Sequence, residues 1–384
     1  MDVLSHNLSQ QCSIRLIRFC FAREMRETAS SAINTNKIPK RDGKAAANAT
    51  ESKNVQKEGV FPLTGSMYDI EAFVRNIWNW IFQFTNREGS VPQYDQEPLI
   101  RLLQDAGKIM RAEPTVIDLK EKVSIMGDLH GHGDSLVTLF CLGGFPPKEW
   151  YVFLGNYSGH GFAPQETLFL LIALKVKYPN HIYLLRGSSE DSEVLEAQGF
   201  ITELEKRGGT KKVWDAVQTC LQSMPLAAIL NDNFLCIHGG IGPQLMKYGI
   251  TRLRNVCRPP RSSVDTAMTM ECQWASYRFR ELTKGDGSPI FVEADVNKFC
   301  KDNNLRMIIR SRQVVSNGVL NLPERMLTVW SAASYLDVFH NAGAILKLYP
   351  LINTASIIRY KVVEEEPRSL DDFRPPGGRN SRAT

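Results

Sequence analysis

At 384 residues, with 43% hydrophobic and 23% charged residues, the sequence has room for one large domain or two small ones. Its formal charge of +5 is spread along the chain, not gathered into a basic stripe, which argues against nucleic-acid binding. No apolar run reaches the length of a membrane span. The eight cysteines form no CxxC pair, and Cys141, Cys220, Cys236 and Cys300 lie inside apolar runs as expected buried thiols, which suits a reducing compartment.

Residues 1–66 differ in composition from the rest of the chain and are expected to be a disordered extension. The stretch from Ile14 to Arg23 is short, apolar and basic; its charges argue against a signal peptide, with a mitochondrial targeting segment as the alternative. Order is expected from about Tyr68. Ile70, Phe73, Val74, Ile77, Trp78 and Ile81 recur at helical spacing, with Asp69 as the cap. A second helix fits Gln96 to Met110, with Leu99, Leu102, Leu103 and Ala106 on one face. These residues read as core formers.

Val123, Ile125 and Met126 predict a short buried strand running into Gly127-Asp128-Leu129-His130-Gly131. Ser135 to Leu142 predicts a helix closed by Gly143-Gly144, and Tyr151 to Leu154 a strand running into Gly155-Asn156. Pro164 opens a further helix through Leu168, Leu171 and Ile172. Ile182 to Leu185 is a strand leading into Arg186-Gly187-Ser188-Ser189-Glu190, and helical patterns continue to about Leu221. Later strands end at His238-Gly239-Gly240, at Arg310-Ser311-Arg312-Gln313 and at Ser331-Ala332-Ala333. From about 305 to 363 the strands lack long intervening helices and should pair in a more antiparallel way. The tail from 364 to 384 is charged, then rich in Pro, Gly and Arg, and is expected to be disordered.

Apolar strands that end in Gly-rich or polar loops, with helices between the early ones, predict an α/β domain with one site built from several strand ends. Asp128 and His130 stand two residues apart at such an end. A carboxylate and an imidazole so placed can bind a divalent metal, although a surface turn with a chance histidine reads equally well in isolation.

The ordered set Gly-Asp-Leu-His-Gly, Gly-Asn-Tyr-Ser-Gly-His-Gly, Leu-Leu-Arg-Gly-Ser-Ser-Glu, His-Gly-Gly, Arg-Ser-Arg-Gln, Ser-Ala-Ala-Ser-Tyr and Asn-Ala-Gly-Ala resembles the phosphoprotein phosphatases, and most of all the type-one protein serine/threonine phosphatases. The resemblance covers roughly residues 68–363, within a domain placed at 67–363. It implies a calcineurin-like metallophosphoesterase fold, in which helices flank a central β-sandwich and two metal ions sit at the strand ends. In that chemistry two metals about 3.5–4 Å apart generate a hydroxide for in-line attack on phosphorus. Arginines neutralise the phosphoryl oxygens, and a histidine protonates the leaving oxygen.

Position by position, the resemblance implies metal ligands at Asp128, His130 and His238. Asn156 stands where the bridging aspartate belongs. Ser188 and Arg312 stand where the second metal has an asparagine and a histidine. Ser189 replaces the proton-donor histidine and Gly159 the aspartate that orients it. His160 replaces a phosphate-clamping arginine, and a second clamping arginine is missing near Thr283 to Ser288, where Asp286 is found. Arg186, Arg310 and Tyr335 match residues of the phosphate-binding motifs. A guanidinium is always charged and is no practical metal ligand. Arg312 is therefore expected to fill the second-metal volume and to pair with Asp128 or another acid. His132 and His160 are candidate replacement ligands.

The resemblance thus implies a phosphatase-like protein with an impaired centre. It would act by binding phosphatase regulatory subunits, docking-motif proteins or phosphoproteins in the cytoplasm or nucleus. Asp128, His130 and His238 could keep one weakly held divalent metal, manganese, iron or zinc. The alternative is an active protein serine/threonine phosphatase with an atypical site. A docking groove is implied near Leu327 and Ile345 to Ile358.

Overall fold

The computed structural model describes residues 60–61, 69–83, 92–278, 287–349 and 354–362. The basic apolar stretch at 14–23, the clamp position at Asp286 and the tail from 364 lie outside them, as does the low-complexity segment before Val60.

Helix α1 (Ile70–Gln83) starts at Asp69, whose Oδ1 accepts from Ala72 N at 2.9 Å, and it buries the periodic Phe73, Val74, Ile77, Trp78 and Ile81. Helix α2 (Gln96–Ala112) buries the expected Leu99, Leu102, Leu103 and Ala106. Strands β1 (Val116–Leu119) and β2 (Val123–Met126) come next, then helix α3 (Gly133–Gly143), strand β3 (Tyr151–Phe153), helix α4 (Pro164–Lys177) and strand β4 (Ile182–Leu184). Helix α5 (Lys211–Leu221) packs on α2, and β5 (Ala227–Leu230) turns back into β6 (Phe234–Ile237). Three helices, α6 (Pro243–Leu253), α7 (Ser263–Trp274) and α8 (Glu293–Asp302), precede β7 (Met307–Arg310). Strands β8 (Val319–Asn321), β9 (Met326–Val329), β10 (Gly343–Tyr349) and β11 (Thr354–Tyr360) complete the frame.

Besides two short two-stranded pairs among the described residues, these strands form two main sheets, one of six in the order β8-β9-β7-β6-β5-β1 and one of five in the order β11-β10-β2-β3-β4. Side-chain alternation along the strands sorts the core into three layers. Val123 and Ile125 of β2, Val152 of β3, Ala228 of β5 and Ile309 of β7 meet between the sheets. Met126, Tyr151, Phe153 and Leu184 face α1 to α5, while Ile229, Ile237 and Ile308 face α6 to α8. Each fully buried aliphatic or Phe side chain contributes about 1.5–3 kcal/mol. The α/β sandwich flanked by helices is the fold that the sequence implied.

Antiparallel pairing, expected from about residue 305 onward, joins β8 to β9 and β10 to both β11 and β2. β7 differs, running parallel to both β6 and β9. A parallel neighbour needs a long crossover, and α6, α7 and α8 provide it between β6 and β7. Cys141 is half-buried, in contrast to the fully buried Cys220, Cys236 and Cys300.

Candidate functional site

The carboxyl ends of β2, β3, β4, β6, β7 and β9 converge on Asp128. The residue follows β2 directly, makes a parallel bridge with Trp330, and accepts at its carbonyl from Ser331 N (3.2 Å) and Ala332 N (2.9 Å), which ties the two sheets together. Its own amide donates to Ser311 Oγ at 2.8 Å. Gly127 is required just before it, since a Cβ there would lie 2.0 Å from Val329 O.

The Asp128 side chain is fully buried, and both of its oxygens are engaged. Asn156 Nδ2 donates to Oδ2 at 2.8 Å, and His130 Nε2 lies 3.0 Å from the same oxygen. Arg312 N donates to Oδ1 at 3.0 Å, and His238 Nδ1 lies 3.5 Å from it. Burial pushes the carboxyl up, but His238, His130 and Ser311 outweigh it and hold the group well below the usual carboxylate range. It is therefore ionised. His238 is depressed to about 3, by burial first and then by Arg312 and Arg310, against the pull of Asp128. It is neutral at pH 7.

The orientation of Asn156 is fixed from behind. Ser189 N donates to its Oδ1 at 2.7 Å, and Ser188 Oγ lies 3.2 Å from the same atom. A main-chain N–H can only donate, so the amide oxygen must face it and the NH₂ group must face Asp128 and His130. His130, Asn156 and Arg312 all adopt left-handed backbone, with φ of 47°, 57° and 64°. Such conformations in non-glycine residues cost energy and persist where the surroundings enforce them.

Glu190 does part of that enforcing. It is buried, and its carboxylate accepts from Asn156 N (2.8 Å), Tyr157 N (2.9 Å) and Gly187 N (2.8 Å), which clamps the loops after β3 and β4 to each other. Burial raises it to about 7 despite those three donors, with the Asp128 charge adding to the rise.

The guanidinium of Arg312 runs outward from the centre. Nε donates to Trp274 O (2.8 Å) and reaches Ser276 Oγ (3.3 Å), Nη1 reaches Ser188 Oγ (3.3 Å), and Nη2 reaches Ser288 Oγ (3.1 Å). The head lies over the Trp274 ring at 4.7 Å. The contact seen with Asp128 is made by the main-chain amide and not by the charge that was expected to pair with it, while the guanidinium brings Arg312 beside Ser188.

The sites expected for phosphate separate. Arg310 is fully buried and donates to Gly239 O (2.7 Å), Gln313 Oε1 (2.8 Å) and Ala275 O (3.2 Å), and burial pushes it down to about 9. Arg186 pairs with Asp191 Oδ1 at 2.8 Å. Both matched arginines are turned onto the protein. His160 is exposed. Tyr335 lies beside His130, with ring centroids 5.0 Å apart, and 6.0 Å from the ring of His132, which occupies the N-cap position of α3 without a capping side-chain hydrogen bond. Gly159 backs onto His130, for a Cβ at that position would lie 2.8 Å from His130 Nδ1.

Sequence reasoning assigned no role to Glu190, Trp274, Ser276 or Ser288. Glu190 closes the Leu-Leu-Arg-Gly-Ser-Ser-Glu motif, so its place beside a buried turn was a usable signal. The other three come from α7 and the segments after it, which carry no motif, and their approach depends on tertiary packing.

These residues do not fit a pair of divalent cations. Asn156 turns its NH₂ group toward Asp128, Ser188 offers only a hydroxyl, and a permanent cation stands at Arg312. Among the described residues, no group of three or more His, Cys, Asp and Glu side chains is arranged to hold a metal ion, and no helix is long and apolar enough to cross a membrane.

Residues 121–311 match the calcineurin-like phosphoesterases. Among solved structures, the chain is similar to a protein serine/threonine phosphatase from Saccharomyces cerevisiae that is described as similar to human phosphatase PP5. The TM-score is 0.67 at 24% identity, over 77% of this chain and 97% of that one. A cold-active protein-tyrosine phosphatase from a psychrophilic Shewanella species aligns with a TM-score of 0.47 at 20% identity, over 63% of this chain and 79% of that one. Residues 121–311 thus form a calcineurin-like metallophosphoesterase domain, and the two-sheet frame that carries it is shared with the yeast phosphatase.

Proposed function

We propose that this chain is a protein serine/threonine phosphatase-like protein whose centre is catalytically impaired, and that it acts in the cytoplasm or nucleus by binding phosphatase regulators or phosphoproteins. The observation that carries this reading is the turn of Asn156: its NH₂ group, fixed by Ser189 N, donates to the Asp128 carboxylate. Arg312 beside Ser188 and Ser189 in the proton-donor position support it. Loss of a single electrostatic group commonly costs about 10²–10³ in rate. Here the bridge, two second-metal ligands and the acid are replaced together, and such groups act as a unit.

The test is p-nitrophenyl phosphate hydrolysis by the full chain with added manganese, alongside binding of a labelled docking peptide from a phosphatase regulator and of a phosphopeptide. Saturable binding without turnover supports the reading. Turnover that Asp128→Ala abolishes would instead establish an active phosphatase with an atypical site.

A further inference from the structure

We propose that the centre is built to stand without a metal: hydrogens supplied by Asn156 and Arg312 take the places that cations occupy in the family, and Asp128 has become a structural anchor. This deepens the impaired-centre reading, and it is tested by stability and metal content rather than by binding or turnover.

Three observations carry it. First, Asp128 Oδ2 and His130 Nε2 form the corner in which a cation would be chelated, and Asn156 Nδ2 points into that corner, 2.8 Å from the oxygen and 3.5 Å from the nitrogen. The amide cannot turn over to offer its oxygen, because Ser189 N would then face an NH₂ group at 2.7 Å, donor against donor. Second, Asp128 Oδ1 already accepts the main-chain hydrogen of Arg312. No side-chain rotation removes that donor, since it belongs to a backbone held at φ 64°. Third, the formal charges of Asp128 and Arg312 cancel. With an aspartate at position 156 and a histidine at 312, the same pocket would gain a negative charge and lose a fixed positive one, which favours a bound cation. With asparagine and arginine those two formal charges balance, and a dication would meet the guanidinium that lies beside Ser188.

The experiment uses the full chain. Metal content is measured by mass spectrometry after purification, and the melting temperature is followed with EDTA and then with added manganese. The expected result is substoichiometric metal and a melting temperature that neither addition moves, since a ligand stabilises only a folded state that binds it. The double variant Asn156→Asp/Arg312→His is expected to gain metal and to show manganese-dependent stabilisation that EDTA reverses. Should the double variant fail to fold without metal, refolding with and without manganese gives the same readout, and Asn156→Asp alone serves as a second variant. A wild-type chain that retains an equivalent of metal, or that loses stability on chelation, overturns the proposal. A double variant that folds but gains no metal overturns the assignment to Asn156 and Arg312. Loss of regulator or phosphopeptide binding alone would bear on the function reading and would leave the melting results intact.

Discussion

The main-chain amide of Arg312 donates to Asp128 Oδ1 at 3.0 Å, while the guanidinium of the same residue lies 4.7 Å from the Trp274 ring. One residue thus serves the centre with its backbone and braces the cleft wall with its side chain. Asp128→Ala would orphan this amide and Asn156 Nδ2 in a fully buried place. Breaking a buried charged network by removing one partner costs about 3–5 kcal/mol. Arg312→Ala leaves the amide in place and forfeits the cation–π contact and the hydroxyl bonds, a cost of about 1–2 kcal/mol. Arg312→Gly should cost less than Arg312→Ala, since it keeps the amide and relaxes the positive φ. Urea unfolding of the three variants gives the ranking directly.

Stability should carry two opposed pH slopes from groups close together. His238 falls from its ordinary 6.5 to about 3 on folding, so the folded state prefers the neutral ring. Its contribution is present above pH 6.5 and is lost as pH falls toward 3. Glu190 rises from 4.5 to about 7, so the folded state prefers the protonated acid. Its contribution is present below pH 4.5 and is lost as pH rises through 7. Between about pH 4.5 and 6.5 the two oppose each other, each at up to about 1.4 kcal/mol per pH unit. Urea midpoints from pH 4.5 to 7 should therefore vary little for the wild type across the shared window. His238→Asn should make stability rise as pH falls, and Glu190→Gln should make it fall more steeply. Parallel curves for the wild type and both variants would show that neither group titrates as described.

The frame was legible because its signals are local. Helical spacing from Ile70 to Ile81 and the apolar runs at Val123, Tyr151 and Phe234 set elements that the fold confirms within a few residues. The direction of β7 was not legible, because it depends on a crossover through three helices whose packing partners lie far away in sequence. At the centre, the sequence supplied which residue types gather but not which atom of each faces inward. Arg312 was expected to meet Asp128 through its charge, yet the contact is made by the amide, a consequence of a left-handed backbone that no side-chain pattern encodes. Arg186 and Arg310 match phosphate motifs as letters. Their guanidinium groups are directed to Asp191, Gly239 and Ala275, contacts that only tertiary structure defines.

Regulator docking and phosphoprotein binding should separate by mutation. The residues implied for docking, Leu327 and Ile345 to Ile358, fall on β9 of one sheet and on β10 and the edge strand β11 of the other, with β10 standing between β11 and β2. A docking peptide seated there should bind Asp128→Asn and wild type with the same affinity, because that substitution keeps the size and shape of the side chain and touches no residue of β11. A phosphopeptide held at the strand ends should change its affinity. Fluorescence anisotropy with both ligands on both proteins measures the difference, and a docking peptide weakened by Asp128→Asn would place its site at the centre.

Restoring turnover should require several substitutions together. Asn156→Asp alone adds a second carboxylate beside Asp128 and leaves Arg312, so manganese-dependent p-nitrophenyl phosphate hydrolysis should remain near background. Ser188→Asn, Ser189→His and Arg312→His added to it complete the ligand set and the proton donor, and the combined gain should exceed the product of the single effects because these groups act as a unit. Gly159→Asp, a further departure implied by the resemblance, is expected to behave differently. A Cβ at position 159 would lie 2.8 Å from His130 Nδ1, so His130 would have to move before an acid could orient a donor at 189. The fivefold variant should therefore melt below the fourfold one, and its rate should rise only if His130 relocates. Rates and melting curves for the two, measured side by side with manganese, decide whether glycine at 159 is a lost catalytic residue or a packing requirement of this centre.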